Sequence, residues 1–493
     1  MKIGDGIIDY KKINIGMLGI KIINLCYLVI FGAISLVLLF RYQKENILFW
    51  PLWILISGLI VFAGWKLSDK AGNINTRRRM EIVLFGIIVL LTLMAVWQLR
   101  MNSGADWWSV YNGAVEWATY HEFKTTWFLV YFNQYQNNIP WVLLTALLYR
   151  GLAVLHITRF YEASIILNVF LFLGSILLLY RTAKTFMKPR IALLFLFFCT
   201  FYIPFYLNVP VFYTDIPALF CLAVALFFLS REHQTGDWRW LIGTGAFLGF
   251  GFKIKGTVIV ALVAVVIWKL LKGQCKGMIA ALVGATVCVM CIGFWVQGCG
   301  IIQKEYEESR KLPYTHWIMM GLKDDGIYNG DDVKFSLQGR TYEEKKEITK
   351  NEIKKRLNEY GVGGLLKHLY KKSIDGVWSG ADQNSMIFFY AEPLHEGLAS
   401  DLFYWKGKYS NTVLLLMKCV YLFYLSLGVL GTGMSWRRED KNIISLFRLN
   451  LLGIFSFLLI WEASQRYVFL FVPFVLFLAA EELENIYVYL RKR

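Results

Sequence analysis

Four polar segments that could do chemistry interrupt an otherwise apolar sequence. In the first, Asp106 lies beside Trp107 and Trp108, and a second carboxylate, Glu116, follows. An aromatic belt at a membrane interface, with a solvated acid beside it, would account for this pattern. The aromatic density of residues 102–138 also fits a groove in which a lipid headgroup and a water-soluble acceptor could meet.

The second and third segments place charges at the ends of apolar runs. Asp215 stands where such a run begins, so it either has a functional role or belongs to an N-cap formed with Thr214. Lys253 and Lys255 follow a Gly-rich run, at an end where the positive-inside bias disfavours basic residues. Binding of a phosphate would explain these lysines, and so would snorkelling to lipid headgroups.

The fourth segment is a short polar stretch between two apolar runs, and it contains Glu462 and Arg466. The guanidinium of Arg466 offers a planar fork of donors suited to a phosphate, while an ion pair with Glu462 at i,i+4 is the alternative. Acids and cations from four separate segments fit one reaction, the attack of an acceptor hydroxyl on a sugar linked to a lipid phosphate. A carboxylate can act as the general base, and cations stabilise the phosphate that leaves.

The composition indicates that a membrane surrounds these segments. The chain has 493 residues, of which 57% are apolar, 17% aromatic and 18% charged, whereas roughly a quarter of the residues of a soluble domain are charged. This composition excludes a secreted disulfide scaffold, a disordered chain and a soluble enzyme. Most of the eight cysteines lie in apolar runs, where they are expected to pack as small hydrophobic side chains. No metal site and no cofactor are predicted.

Most of the apolar runs are about 17–23 residues long, which is the length that crosses a bilayer as a helix, and the run 240–253 is shorter and Gly-rich. They predict about 12 transmembrane helices, at about 18–40, 47–66, 81–99, 162–180, 190–207, 213–230, 240–253, 256–271, 277–298, 412–433, 443–461 and 466–487. The apolar stretch 139–155 either crosses the membrane or lies in its outer interface. The formal net charge is +17, and the basic loops all face the cytoplasm only if this stretch lies flat. Both termini are then cytoplasmic.

The predicted fold is an all-α polytopic membrane protein in four parts. Residues 1–80 contain two additional N-terminal transmembrane helices, and residues 81–299 form the transmembrane module that contains Asp106 and the interfacial helix. Residues 300–411 are expected to form a mainly helical extracytoplasmic domain. Residues 412–493 contain the C-terminal transmembrane helices.

The order of these motifs resembles that of the GT-C superfamily of membrane glycosyltransferases, in particular its bacterial protein-mannosyltransferase-like branch. The resemblance rests on Gly104-Ala105-Asp106, Arg159, Tyr213-Thr214-Asp215, Lys255-Gly256 and the late motif Glu462-x-x-x-Arg466-Tyr467. It covers about residues 81–300 and the last pair of spans, so that residues 81–299 would form a GT-C-like catalytic module. Two spans precede the first span of the usual pattern, and the acid of the first loop is not part of an Asp-Glu pair.

The resemblance implies an enzyme that transfers a sugar, with inversion, from a polyprenyl-monophosphate donor at the outer face of the cell membrane. Asp106 would be the catalytic general base. The other implied or expected site residues are Asp215 and Glu116 as acidic positions near the acceptor, and Arg159, Lys255, Arg466 and His316 as ligands of the donor phosphate. His316 is included because a histidine on the outer face could contact the phosphate or the acceptor, and a surface loop is the alternative.

The expected partners are the lipid-linked sugar donor, a glycan or polymer acceptor such as a wall or surface polysaccharide, and the lipid bilayer, with no nucleic acid. A transporter or flippase of lipid-linked sugars is the alternative from another functional class, because it would also explain many spans and buried charges. Such a protein predicts inverted repeats and charges near the bilayer centre. The sequence has no evident repeat, and its charges cluster at one face.

Overall fold

The computed structural model describes residues 15–102, 104–380, 391–434 and 443–491. The helices of the first half are α1 (Ile15–Glu45), α2 (Phe49–Lys70), α3 (Ile74–Gln98), α4 (Ala105–Tyr120), α5 (Thr126–Gln134), α6 (Ile139–Val154), α7 (Phe160–Phe186), α8 (Pro189–Phe201), α9 (Ile203–Asn208), α10 (Asp215–Thr235), α11 (Trp240–Ile254), α12 (Ile259–Leu271) and α13 (Cys275–Gly298). Those of the second half are α14 (Lys304–Arg310), α15 (Tyr314–Met320), α16 (Gly330–Ser336), α17 (Tyr342–Lys371), α18 (Leu398–Phe403), α19 (Ser410–Met434), α20 (Ile443–Ile460) and α21 (Val472–Arg491). Parts of the predicted domains, at 1–14, 103, 381–390, 435–442 and 492–493, lie outside the described residues.

In the part of the chain that the structure describes, eight helices are long and apolar enough to cross a membrane, namely α1, α2, α3, α7, α10, α13, α19 and α20. Each coincides with a predicted span. The other four predicted spans fall on shorter apolar helices (α8 with α9, α11 and α12) and on the segment that ends in α21. The protein is therefore an all-helical polytopic membrane protein with about eight candidate spans and several shorter apolar helices.

Changes of backbone conformation break two of the predicted spans. The run 190–207 divides at Tyr202, and Pro204 stands in the first turn of α9, where its missing N–H costs nothing. The run 466–487 begins with a 3₁₀ segment, Gln465–Phe471, and becomes α-helical from Val472. The length of an apolar run therefore does not equal the length of the helix that it forms.

Helices α11 and α13 approach closely because glycines line their contact. A Cβ atom at Gly245 would lie 1.8 Å from the carbonyl oxygen of Ala281, and one at Gly284 would lie 2.1 Å from that of Ile242. Only a hydrogen fits at these positions, so any larger residue would force the two backbones apart. Helix α11 also packs against α10, which packs against α7. This packing brings the end of α11 to the beginning of α10.

The predicted interfacial stretch 139–155 forms helix α6. A 3₁₀ turn, Gln136–Asn138, precedes it, and Pro140 lies in its first turn. The first half of α6 is mostly buried against α4, whereas Arg150 and Val154 near its end are exposed. A flat orientation of α6 in the outer interface stays a prediction.

Residues 300–411, here named the insertion domain, are mainly helical where they are described. Thr341 caps the start of α17 through a capping box with Glu344, and α17 packs against α15 and α16. A π-helical turn, Lys372–Trp378, follows α17 directly. A two-residue antiparallel pair, β1 (Met101–Asn102) with β2 (Glu392–Pro393), ties the later part of the domain to the chain before α4.

Candidate active site

Asp106 lies in the first turn of α4, half-buried, and two tyrosines bind its carboxylate. The hydroxyl of Tyr131 donates to Oδ1 at 2.8 Å, and the hydroxyl of Tyr213 lies 3.4 Å from Oδ2. The helix N-terminus favours a negative charge at this position. The preceding residue, Ala105, has φ = 48°, which is a costly backbone conformation for a residue with a Cβ atom. The position of Asp106 is therefore maintained at a cost in backbone strain at Ala105.

Asn138 connects the two tyrosines. Its Nδ2 donates to the hydroxyl oxygen of Tyr131 at 2.9 Å, and its Oδ1 lies 3.4 Å from the hydroxyl of Tyr213. The single hydroxyl hydrogen of Tyr213 therefore has two acceptors at the same distance, Asp106 and Asn138. Tyr131, Tyr213 and Asn138 are buried, so packing holds their side chains in place. Of these four residues, Asp106 alone is partly exposed.

Asp215, the first residue of α10, lies between two cations from distant parts of the chain. Nζ of Lys255, which follows α11, donates to Oδ1 of Asp215 at 2.5 Å. Nε of Arg466 lies 3.9 Å from Oδ2 of the same carboxylate. Asp215 and Lys255 are buried, and buried charges are costly unless they are paired. Two cations share one carboxylate here, and the charges of Asp106 and Glu462 also act on them, Asp106 on Arg466 and Glu462 on Lys255.

The guanidinium of Arg466 has unused hydrogen-bonding capacity. Among the described residues, its buried Nε has no hydrogen-bond partner, and neither has Oδ2 of Asp215. Its Cζ lies 5.0 Å from the ring centroid of Tyr213, so a cation–π contact fixes the guanidinium without using its N–H groups. A buried N–H without an acceptor is unfavourable, and an oxyanion bound here would supply one.

Glu462 and Tyr467 complete the site on the side of Lys255. The hydroxyl of Tyr467 donates to Oε2 of Glu462 at 2.8 Å, and Nζ of Lys255 lies 5.3 Å from the ring centroid of Tyr467. Burial raises the pKa of Glu462 to about 7, although the Tyr467 hydrogen bond and the charges of Arg466 and Lys372 act to lower it. The ionic partner of Arg466 is Asp215, so the i,i+4 pair considered from the sequence is not the one observed.

Tyr213 joins the two halves of the site, because its hydroxyl contacts Asp106 and its ring contacts Arg466. We name this set the central cluster, and it consists of Asp106, Asp215, Lys255, Arg466 and Tyr213. Its acids and cations come from the four polar segments that the sequence singles out. In the part of the chain that the structure describes, no three His, Cys, Asp or Glu residues are grouped as metal ligands would be.

Three of the predicted site residues lie outside the central cluster. Arg159 is exposed at the start of α7. Glu116 accepts hydrogen bonds from the backbone N–H groups of Lys124 and Thr125, at 2.6 Å and 2.8 Å. The carboxylate of Glu116 therefore fixes the start of α5, the helix that presents Tyr131, and does not face the cluster.

His316 is fully buried inside the insertion domain. Its Nδ1 lies 2.7 Å from the hydroxyl of Ser336, and its Nε2 has no hydrogen-bond partner among the described residues. Burial lowers the pKa of His316 to about 4, and nearby Asp332 opposes only part of this shift. A neutral imidazole packed in a domain core is poorly suited to bind a phosphate.

Sequence reasoning missed the neutral partners of the cluster. Tyr131 and Tyr467 donate to Asp106 and Glu462, and Asn138 binds the hydroxyl of Tyr131. The only signal was that each stands in or beside a polar segment already singled out. Lys372, whose charge acts on Glu462, was also missed, because a lysine among other basic residues is usually solvated.

Comparison with protein families gives one result. A family model described as a conserved hypothetical integral membrane protein matches residues 43–486, which is most of the chain. A search of curated proteins finds no match.

Proposed function

We propose that this chain, which belongs to the conserved hypothetical integral membrane protein family, is an inverting glycosyltransferase. It transfers a sugar from a polyprenyl-monophosphate donor to a cell-surface acceptor such as a wall or surface polysaccharide. The observation that carries this proposal is the meeting of Asp106 with Arg466 through Tyr213. A half-exposed carboxylate beside an incompletely paired cation suits a reaction in which a hydroxyl loses a proton and a phosphate departs.

In the proposed reaction, the acceptor hydroxyl attacks the anomeric carbon of the donor sugar from the side opposite the phosphate. Asp106 takes the hydroxyl proton as the new carbon–oxygen bond forms. The bond between the anomeric carbon and the phosphate oxygen breaks, and its electron pair leaves with polyprenyl phosphate. The configuration at the anomeric carbon is therefore inverted. The leaving group is an anion that is stable at neutral pH, so it requires cations and no general acid.

Lys255 and Arg466 are the proposed ligands of the donor phosphate. Arg466 offers a fixed guanidinium plane and a buried Nε that lacks an acceptor. Burial lowers the pKa of Lys255 to about 8, and Asp215 opposes this shift, so the lysine is still mostly charged at neutral pH. Asp215 would hold both cations in position when the donor is absent. Charge-assisted hydrogen bonds from two such groups are strong in a site that excludes water.

We place the central cluster at the extracytoplasmic leaflet, with twelve spans and both termini in the cytoplasm. In this arrangement, the shorter apolar helices complete the bundle, α6 lies flat in the outer interface, and the insertion domain is extracytoplasmic. The basic segment 66–79 then faces the cytoplasm, as the positive-inside rule favours. The exposed rings of Trp108 and Trp127 near Asp106 suit the headgroup region of the membrane.

The test uses the purified full-length chain in proteoliposomes, with polyprenyl-monophosphate donors that carry different radiolabelled sugars. We expect release of polyprenyl phosphate and transfer of the label to a glycan acceptor. Arg466→Lys is expected to raise the donor KM about tenfold, because an ammonium lacks the planar fork. Arg150→Gln is the matched control, since Arg150 is exposed on α6, and it should leave the KM unchanged.

Two results would contradict the proposal. If no donor loses its sugar under any condition, the chain is not a transferase of this class. If labelled lipid instead crosses between leaflets with its covalent structure intact, the chain is a transporter of lipid-linked sugars.

A further inference from the structure

Lys372 is a fully buried lysine of the insertion domain that contacts the membrane-spanning part of the chain. It lies in the π-helical turn after α17. Its ammonium donates to three carbonyl oxygens, those of Gly321 at 2.8 Å, Leu459 at 3.1 Å and Trp461 at 2.6 Å. An ammonium has three protons, so these contacts satisfy it completely.

The three carbonyls lie at the ends of two helices. Gly321 follows α15 of the insertion domain, while Leu459 and Trp461 belong to the end of α20. The last carbonyls of a helix lack intrahelical partners and carry the negative end of the helix dipole. Lys372 therefore bridges two helix C-termini from different parts of the chain. Burial lowers the pKa of Lys372 to about 8, which Glu462 opposes, so the bridge is charged at neutral pH.

The residues that follow α20 make further contacts with the insertion domain. We name residues 461–466 the site loop, because they include Glu462 and Arg466. The N–H of Ala463 donates to the carbonyl of Gly326 at 2.7 Å. Nε2 of Gln465 donates to the carbonyl of Asp375 at 3.1 Å.

The side chain of Trp461 in the site loop also contacts the insertion domain. Trp461 stacks on Trp317 of the insertion domain, with ring centroids 6.5 Å apart and an interplanar angle of 18°. Trp461, Ala463 and Gln465 therefore contact the insertion domain. Glu462 and Arg466, the two charged residues of the candidate site, lie between or beside them in the chain.

We propose that Lys372 is a positioning residue, which fixes the site loop against the insertion domain and thereby places Arg466 and Glu462. The effect on sugar transfer rests on the proposed function, whereas the effect on the loop does not. Replacing a buried lysine by an apolar residue of similar size often costs little stability when its partners are also removed. At this position, however, the carbonyl partners remain and would lose their donor. The site loop would then open from the insertion domain more often, because fewer contacts hold it there.

The first test measures amide hydrogen exchange of the site loop in the full-length protein, for wild type and Lys372→Met. We expect exchange at residues 461–466 to become about tenfold faster or more in the variant, because loss of the Lys372 hydrogen bonds lowers the free energy of local opening. Lys372→Arg keeps the charge and the donors, and it should restore most of the protection. Lys372→Gln, which keeps two donors, replaces the methionine variant if that variant does not fold.

Lys345→Met is the matched control. Lys345 is also fully buried in the insertion domain, but its ammonium donates to the carbonyl of Glu308 within the same domain, at 2.6 Å. This substitution should speed exchange in α17 and leave residues 461–466 unchanged. Equal exchange at the site loop in wild type and in the Lys372 variant would overturn the proposal. Faster exchange there after both lysine substitutions would also overturn it, because the loop would then report only domain stability.

The second test measures sugar transfer. Displacement of a reacting group by about 1 Å costs roughly a hundredfold in rate, so Lys372→Met should lower kcat/KM by about that factor, and Lys372→Arg should recover part of it. Faster loop exchange with undiminished transfer would refute the positioning role. If loop exchange is faster in Lys372→Met but the wild-type protein transfers no sugar, the role of Lys372 in fixing the site loop stands. Only the proposed function is then refuted.

Discussion

The buried imidazole of His316 predicts that the insertion domain loses stability in mild acid. Burial lowers the pKa of His316 from its ordinary value of 6.5 to about 4, because an imidazolium in this core would lose its hydration. The unfolded segment binds a proton at higher pH than the folded one. Folded stability is therefore fully present above about pH 6.5 and is lost as the pH falls towards 4.

The magnitude follows from the size of this shift. A difference of about 2.5 pKa units corresponds to about 3 kcal/mol over the whole window. Between pH 7 and pH 5, the expected loss for His316 is about 2 kcal/mol, which is roughly a thirtyfold increase in the equilibrium constant for local opening. In the folded domain the imidazolium would have one hydrogen-bond partner, Ser336 at Nδ1, because Nε2 has no partner among the described residues.

The assay is amide hydrogen exchange of residues 314–336 in the full-length protein at pH 7 and pH 5, corrected for the intrinsic pH dependence of exchange. His316→Gln, which does not titrate, should remove the contribution of His316 to the pH dependence of the opening free energy, whereas His368, a second histidine whose pKa burial lowers, keeps its own. The exposed His395 provides the control, because His395→Gln should leave the dependence intact. If the wild type opens equally at both pH values, or if His316→Gln keeps the full dependence, the reasoning from burial is refuted.

Three further predictions concern the site and the bundle. Ionisation of Glu462 above its pKa of about 7 adds negative charge beside the phosphate ligands, so donor affinity measured at constant ionic strength should fall between about pH 6 and pH 8, and Glu462→Gln should weaken this dependence and leave the part that comes from Lys255, whose pKa is about 8. Gly245→Leu should prevent the close helix crossing and abolish a cooperative thermal transition in detergent, whereas Gly293→Leu, in open space on α13, should not. Tyr131→Phe removes a hydrogen bond to Asp106 and should lower kcat about tenfold or more in the transfer assay, and an unchanged kcat would exclude that role.

Much of the fold follows from the sequence because membrane helices carry a strong length and hydropathy signal. The eight helices that meet both criteria coincide with predicted spans. The remaining four were harder to predict, because Pro204 divides one run and a 3₁₀ segment, Gln465–Phe471, begins another. Hydropathy averages over a window and does not detect such changes of backbone conformation.

The residue types of the central cluster could be predicted, but its internal geometry could not. Asp215 and Lys255 attract attention because charges at the ends of apolar runs are costly. Their pairing depends on the crossing of α11 with its neighbours, and that crossing depends on single glycines such as Gly245. Tyr213 contacts both an acid and a cation only because three distant segments of the chain meet in the fold.

Glu116 and His316 illustrate why a polar residue on its own is a weak signal. The partners of Glu116 are backbone groups of Lys124 and Thr125, and no pattern of side-chain types records such a contact. His316 faces Ser336, a residue of α16. Both residues have hydrogen-bond partners elsewhere in the fold and none in the central cluster, and partners within the fold are the common finding for a buried polar side chain.

The central claim is that the carboxylate of Asp106 removes the proton of the acceptor. The most direct measurement is single-turnover transfer of a radiolabelled sugar from polyprenyl phosphate by wild type and by Asp106→Asn in the same vesicles. Glu122→Gln is the control, because Glu122 is an exposed acid of the same segment. We predict that Asp106→Asn transfers sugar about 10²–10⁴-fold more slowly while donor binding persists, and that Glu122→Gln matches the wild type. Transfer by Asp106→Asn at the wild-type rate would contradict the account.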